Sequence, residues 1–313
     1  MPVSNYDIVI VGAGPAGLTA GIYAGRARLK TLLLEKLIHG GQVMTTDLVE
    51  NYPGFPEGIS GFELSDRMRK QAERFGLEFR PGEVLELEPG ADGHRLLLEG
   101  EELHAGAVII ASGARHRSLG VPGEKALTGK GVSYCATCDG ALYRGETIAV
   151  VGGGDTALTD TLFLCRFAKK IHLIHRRDAL RGEKFLQEQV LAQEKQGKVK
   201  IHWSTVVEEI QGKQAVETLK LKNVKTGEVT PLPVAGVFIF VGITPNTAWL
   251  QGRVPLDEWG FVFTDDKMAT SIPGIYAAGD VRSKLLRQIA TAVGDGAIAA
   301  FAAETYLTEH RRR

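Results

Sequence analysis

Cysteine is scarce in this sequence. There are three in 313 residues, and two of them, Cys135 and Cys138, are separated by only two residues. A secreted disulfide scaffold needs more, so the scarcity excludes one and makes a reducing, cytoplasmic setting the expectation. An excess of charge of one sign is also missing: Lys plus Arg and Asp plus Glu both total 37. No basic stripe marks a polyanion binder, so no nucleic-acid partner is expected, and the terminal "HRRR" reads as a solvated tail. No apolar run approaches the roughly 18 residues that span a bilayer; "GVFIFVG" has strand length, and no membrane role is expected. The N-terminus enters "YDIVIVGAG" almost at once, without a basic region or cleavage site, so no export is expected. A structural zinc site asks for about four ligands. Beyond the CxxC only Cys165 remains, within "TLFLCRF", and the nearest His does not recur at ligand spacing. No metal site is expected, and Cys165 reads as a small buried hydrophobe.

What is present is a repeated pattern. At this length two domains are the better expectation. In "YDIVIVGAGPAGLTAGIYAGRARLKTLLLEK" a β-branched run leads into Gly12-x-Gly14-x-x-Gly17, a helix of small residues and a second strand. In "TIAVVGGGDTALTDTLFLCRFAKKIHLIHRRDALR" the same order recurs around Gly152-x-Gly154-x-x-Ala157. Each copy stands in the strand–turn–helix–strand context of a dinucleotide fingerprint. The first glycine permits the tight turn and the second admits a pyrophosphate. The third small residue lets helix and strand pack closely, and the phosphates meet the positive helix N-terminus. One copy alone would be weak evidence; two in full context are strong.

The copies differ where the second strand ends. Counting 23 residues from Gly12 reaches Glu35, whereas 23 from Gly152 reaches His175, followed by Arg176, Arg177 and, one helical turn on, Arg181. A carboxylate accepts hydrogen bonds from ribose hydroxyls and repels a 2′-phosphate; guanidinium groups do the opposite. The first site should hold an unphosphorylated ADP moiety, as in FAD or NAD, and the second NADPH. A solvated helix start is the plainer reading of "HRRDALR".

With two nucleotide sites and a CxxC in place, the chain resembles the bacterial-type, low-molecular-weight thioredoxin reductases over essentially its whole length. The resemblance is carried by "GAGPAGLTA", "GGQ" (40–42), "ENYPGF" (50–55), "ASGA" (111–114), "CATCDG" (135–140), "GGGDTA" (152–157), "HRRDALR" (175–181), "GITPNT" (242–247), and "GIYAAGD" with "RQIATAVGDG". It implies an α/β chain of two Rossmann-like, three-layer ββα nucleotide-binding domains. An NADPH domain, 117–246, carries the redox pair and is inserted into a discontinuous FAD domain, 1–116 and 247–313. Carried onto matching positions, Gly12, Ala13, Gly14, Pro15, Ala16, Glu35, Gly41, Gln42, Asn51, Ser112 and Gly113 are expected at FAD. Asp280 is expected on its ribityl chain, with Arg287, Gln288 and Ile289 starting a helix beneath the isoalloxazine. Gly152, Gly154, Asp155, Thr156, His175, Arg176, Arg177 and Arg181 are expected at NADPH. Plainer readings exist: Asp280 as a helix N-cap and Asn51 as a turn former. The sequence departs from the family where one or two glutamates are usual, placing Leu158, Thr159 and Asp160 there, and has Asp155 where Asn is frequent. This bears on nicotinamide orientation, not on cofactor identity.

The resemblance also implies the activity: NADPH-dependent reduction of oxidised thioredoxin through FAD and Cys135–Cys138, in a homodimer. By the family pattern Cys138 is nearer the flavin, Cys135 attacks the substrate, and Asp139 moves a proton. A helix N-cap for "GALY" is the plainer role for Asp139. One disulfide cannot face flavin and protein substrate together, so a rotation between domains is implied. The alternatives are a related flavoprotein reductase serving another dithiol carrier, and a redox sensor with little turnover.

Overall fold

The computed structural model describes residues 4–36, 38–46, 48–250 and 252–311. Of the "HRRR" tail, Arg312 and Arg313 therefore lie outside the described residues. The chain divides into two compact units, one formed by the residues up to Arg115 together with those from Thr244, the other by His116–Ile243.

In the first unit β1 (Ser4–Val11) leads into α1 (Pro15–Arg26) and β2 (Thr31–Glu35). Then come α2 (Gly61–Arg74), β3 (Glu78–Pro81), the hairpin β4 (Glu86–Glu88) and β5 (His94–Leu98), and the long β6 (Glu101–Ile110). The chain leaves through β7 (Ala114–His116). The second unit follows with β8 (Val132–Ser133), α3 (Ala136–Asp139), β9 (Thr147–Gly152), α4 (Asp155–Leu164), β10 (Lys170–Ile174), α5 (Lys184–Lys195) and β11 (Val199–His202). A meander of β12 (Thr205–Gln211), β13 (Thr218–Asn223) and β14 (Val229–Pro233) precedes β15 (Gly236–Phe240). The chain returns through β16 (Ile243–Pro245) to β17 (Ile275–Ala277) and α6 (Ile289–Arg311).

The first unit is built on a parallel sheet ordered β3-β2-β1-β6, with β17 pairing the end of β6 and the antiparallel β5–β4 hairpin pairing its beginning. The run "DIVIV" is continuous because both faces of β1 are covered. Ile8 and Ile10 face a core shared with α1, α2 and α6, while Val9 and Val11 face Leu87, Leu96 and Val262. Burying each such side chain contributes roughly 1.5–3 kcal/mol. The helix layer is close because its contact residues are small: a Cβ on Gly296 of α6 would lie 2.2 Å from the Ala16 carbonyl oxygen.

The second unit repeats the scheme with a parallel sheet ordered β11-β10-β9-β15-β8. Ile148 and Val150 of β9 face α4 and α5; Ala149 and Val151 face the meander. Each unit is thus a helix layer, a parallel sheet and a β layer, the three-layer ββα arrangement expected, with the second unit inserted between the two parts of the first.

Candidate functional site

In the first unit the ends of β1, β6 and β17 converge on the N-terminus of α1. Gly12 has φ +109°, and a Cβ there would lie 2.3 Å from the Ala111 carbonyl oxygen, so only glycine makes this turn. A Cβ on Gly17 would meet the Gly12 carbonyl oxygen at 1.9 Å. Gly14, the N-cap of α1, has open space on its Cβ side, and Pro15 occupies the first turn, where its missing N–H costs nothing. Glu35 at the end of β2 turns back so that the Ala13 N–H donates to its Oε2 at 2.8 Å. Gly41 opens a short 3-10 turn fastened by Gly40 N–H to the Ala13 carbonyl, 2.7 Å, and the Gln42 amide donates to the Ala114 carbonyl. Ser112 and Asn246 exchange two hydrogen bonds of 2.8 Å, and Gly113 has φ +67°.

Asp280 follows β17 in a 3-10 turn over Gly279–Val281 whose N-cap is Ala278, so the N-cap reading of Asp280 does not hold. Among the described residues its buried Oδ1 has no hydrogen-bond partner. Burial raises its pKa, against the opposing pull of Lys284 and Arg287. Below the turn, Asp295 of α6 accepts the Gly279 N–H at 3.0 Å and ion-pairs with Arg282 at 3.0 Å and Lys284 at 2.7 Å. Arg287 lies 4.1 Å over the Phe261 ring, and burial lowers its pKa. Gln288 accepts from the Asn51 amide at 3.0 Å, and Ile289 is the first residue of α6. The bond makes Asn51 a partner of the α6 approach as well as a turn residue.

In the second unit Gly152 and Gly154 repeat the geometry of the first turn. A Cβ on Gly152 would lie 2.6 Å from the Phe240 carbonyl oxygen, and Gly154, the N-cap of α4, is open on its Cβ side. Thr156 is exposed on the first turn of α4, and the Asp155 carboxylate accepts the Glu183 N–H at 2.7 Å. Residues 176–181 are not the expected helical turn: α5 begins only at Lys184, and the Arg181 N–H donates instead to the Gly153 carbonyl at 2.7 Å. The His175 ring is buried over Gly153, with Nδ1 2.9 Å from the Gly152 carbonyl oxygen and Nε2 2.9 Å from that of Ala179. It fastens the arginine segment to the glycine turn. Arg176, Arg177 and Arg181 are exposed. Among the described residues none of the three forms an ion pair, while the neighbouring Asp178 is drawn away to Lys225 at 2.7 Å.

Cys135 and Cys138 form a disulfide with Cα atoms 5.3 Å apart. Cys135 caps α3, its Sγ accepting the Cys138 N–H at 3.2 Å and lying 3.4 Å from the Thr137 hydroxyl. Asp139 makes no side-chain cap to the following 3-10 turn (Gly140–Tyr143), so the N-cap reading fails here too. Its Oδ2 accepts the Ser133 hydroxyl at 2.5 Å. Tyr134 donates to the buried Glu124 at 2.8 Å, and Glu124 also accepts the Leu119 and Gly120 N–H groups. Ser133, Glu124 and Asp295 escaped sequence reasoning because single polar residues, whether on a strand, in a turn or on a helix, carry no spacing signal. Cys165 is half-buried against the helix-side core, and burial raises its thiol pKa. At the departures from the family pattern, Leu158 is buried, Thr159 exposed, and Asp160 half-buried with its pKa pushed up to about 6 by desolvation. Among the described residues no three His, Cys, Asp or Glu side chains gather as metal ligands, and no helix is long and apolar enough to cross a membrane.

Residues 6–296 match the pyridine nucleotide-disulphide oxidoreductase family. The chain is 46% identical over 305 residues to the thioredoxin reductase of Listeria innocua, covering 97% of this chain and 94% of that one. It is 45% identical to that of Bacillus subtilis, covering 97% and 95%. The crystal structure of thioredoxin reductase from Streptococcus pyogenes superposes with a TM-score of 0.94 at 47% identity, covering 98% and 99% of the two chains.

Proposed function

The chain belongs to the pyridine nucleotide-disulphide oxidoreductase family, and we propose that it is a thioredoxin-disulfide reductase that uses NADPH and FAD and works through Cys135–Cys138. The observation that carries this reading is the disulfide at the start of α3, in the same unit as a glycine turn flanked by three exposed arginines that form no ion pair among the described residues.

The first unit fits FAD. The open side of Gly14 leaves room for a pyrophosphate at the start of α1, and Glu35 is held where ribose hydroxyls would donate to it. Asp280 presents a buried acceptor that none of the described residues satisfies, a cost that the hydroxyls of a polyol chain would relieve. Arg287, Gln288 and Ile289 lead into α6 beside it. The second unit fits NADPH: Gly152, Gly154 and Thr156 surround the phosphate position, and Arg176, Arg177 and Arg181 offer planar forks to a 2′-phosphate. When bound, FAD supplies the two-electron relay between NADPH and the disulfide.

The chain's own residues do the rest. Two electrons and two protons convert Cys135–Cys138 to a dithiol. Hydrogen bonds from the Cys138 N–H and the Thr137 hydroxyl stabilise a thiolate on Cys135. That thiolate attacks a sulfur of the thioredoxin disulfide, forming a mixed disulfide and releasing one thioredoxin thiol. Cys138 then attacks Cys135 Sγ, which re-forms the internal disulfide and releases the second thiol. Asp139 exchanges the proton at the pair. Rotation between the units lets one disulfide serve both reductant and thioredoxin. A homodimer in the cytoplasm, where a CxxC pair is kept turning over, completes the proposal. The test is trapping: reduced Cys138→Ser protein mixed with oxidised thioredoxin should accumulate a one-to-one covalent complex through Cys135. Absence of that complex, or its equal formation by Cys135→Ser, would overturn the reading.

A further inference from the structure

We propose that Ser133 is a positioning residue for the proton-transfer group, holding the Asp139 carboxylate against the redox pair. This deepens the reading above and rests on it.

Ser133 ends β8 and is buried, at 4% exposure. A serine hydroxyl has one hydrogen to give and lone pairs that accept. Two acceptors are in reach: Asp139 Oδ2 at 2.5 Å and the Cys135 carbonyl oxygen at 3.3 Å. The short contact to a charged oxygen takes the hydrogen. The Ser133 Oγ in turn accepts the Cys135 N–H at 3.1 Å. The chain Cys135 N–H to Ser133 to Asp139 therefore joins both ends of the CxxC turn through one buried side chain. A carboxylate on a one-turn helix has several rotamers, and this bond selects one. The hydroxyl also gives the carboxylate oxygen a charge-assisted hydrogen bond. The other ionisable groups on elements against α3 are Tyr143, whose pKa is raised to about 12 by burial and by Asp139, Arg144 just beyond it, and Asp155 and Asp160 on α4. These remain in place when Ser133 is changed, so the serine's effect is separable from theirs.

The experiment compares wild type, Ser133→Ala, Ser133→Thr, Asp139→Asn and the double variant Ser133→Ala/Asp139→Asn. Turnover with NADPH and thioredoxin is followed against pH. The pH dependence of alkylation of the dithiothreitol-reduced cysteines is measured in parallel, which needs neither flavin nor thioredoxin. Ser133→Ala should move the acid limb of turnover, and the carboxylate-linked inflection of alkylation, upward by about one pH unit. Ser133→Thr, which keeps the hydroxyl, should restore both. Ser133→Ala should add nothing on the Asp139→Asn background. A lower rate with unmoved pH profiles, or a double variant losing the product of the two single effects, would reduce Ser133 to a structural residue. If wild type fails to turn over with thioredoxin, the functional reading fails instead, and the alkylation profiles alone decide the role of Ser133.

Discussion

Arg181→Ala removes one of three exposed guanidinium groups that flank the second glycine turn. Its backbone N–H, not its side chain, ties the segment to Gly153, so alanine leaves the loop closed. The ring of His175, with its two carbonyl contacts, is likewise untouched. The change should therefore act on the 2′-phosphate alone. A charge-assisted contact contributes about 1.5–3 kcal/mol, which corresponds to roughly 10- to 150-fold in affinity. Exposure to solvent places Arg181 at the lower end, about tenfold. The assay is steady-state oxidation of NADPH and of NADH, with KM and kcat determined for each. The KM for NADPH should rise about tenfold with kcat nearly unchanged, while the NADH parameters stay within about twofold. Removing Arg176 and Arg177 as well should weaken the salt dependence of the NADPH KM, because fewer charges then face the phosphate. Equal losses for both nucleotides would mean that the segment organises the domain and does not read the 2′-phosphate. No loss for either would place the phosphate elsewhere.

Two other consequences follow from buried charge. Desolvation raises Asp160 to a pKa of about 6, so its carboxyl stabilises the fold fully below the ordinary carboxylate pKa, and that stabilisation is lost as pH rises through about 6. Asp160→Asn should accordingly raise stability at pH 8 by about 1 kcal/mol, after discounting for partial exposure, and leave it unchanged at pH 4, as read by urea denaturation. Asp295→Asn keeps an acceptor for the Gly279 N–H but leaves Arg282 and Lys284 without their shared carboxylate. It should cost about 3 kcal/mol and loosen the turn that carries Asp280, so that flavin is released at a lower temperature in a fluorescence melt.

Much of the fold was legible because it is written in residue types with few alternatives. Gly12 and Gly17 tolerate no Cβ against the chain they touch, so the turn they make can be recognised without coordinates. The double-sided covering of β1 and β9 is visible in their unbroken apolar runs. Glu35 stands at the end of its strand because the offset from the turn is set by one helix and one crossover. Side-chain direction was less legible. His175 lies at the right offset for a ligand, but the missing Cβ of Gly153 makes a slot that its ring fills. Residues 176–181 have helical composition, yet the segment is tied down by the Arg181 and Gly182 N–H groups, which donate to the Gly153 carbonyl, and the loop is not helical. Asp139 and Asp280 both suit helix caps by sequence. One is instead held by Ser133, and the other has a buried oxygen that none of the described residues satisfies.

The central claim, that electrons from NADPH leave through Cys135–Cys138, is tested most directly by NADPH oxidation. The flavin-loaded protein would be assayed with oxidised thioredoxin, wild type beside Cys135→Ser. The account predicts turnover in the wild type, none in the variant, and bleaching of the flavin by NADPH in both. Thioredoxin-dependent turnover that survives Cys135→Ser would contradict it.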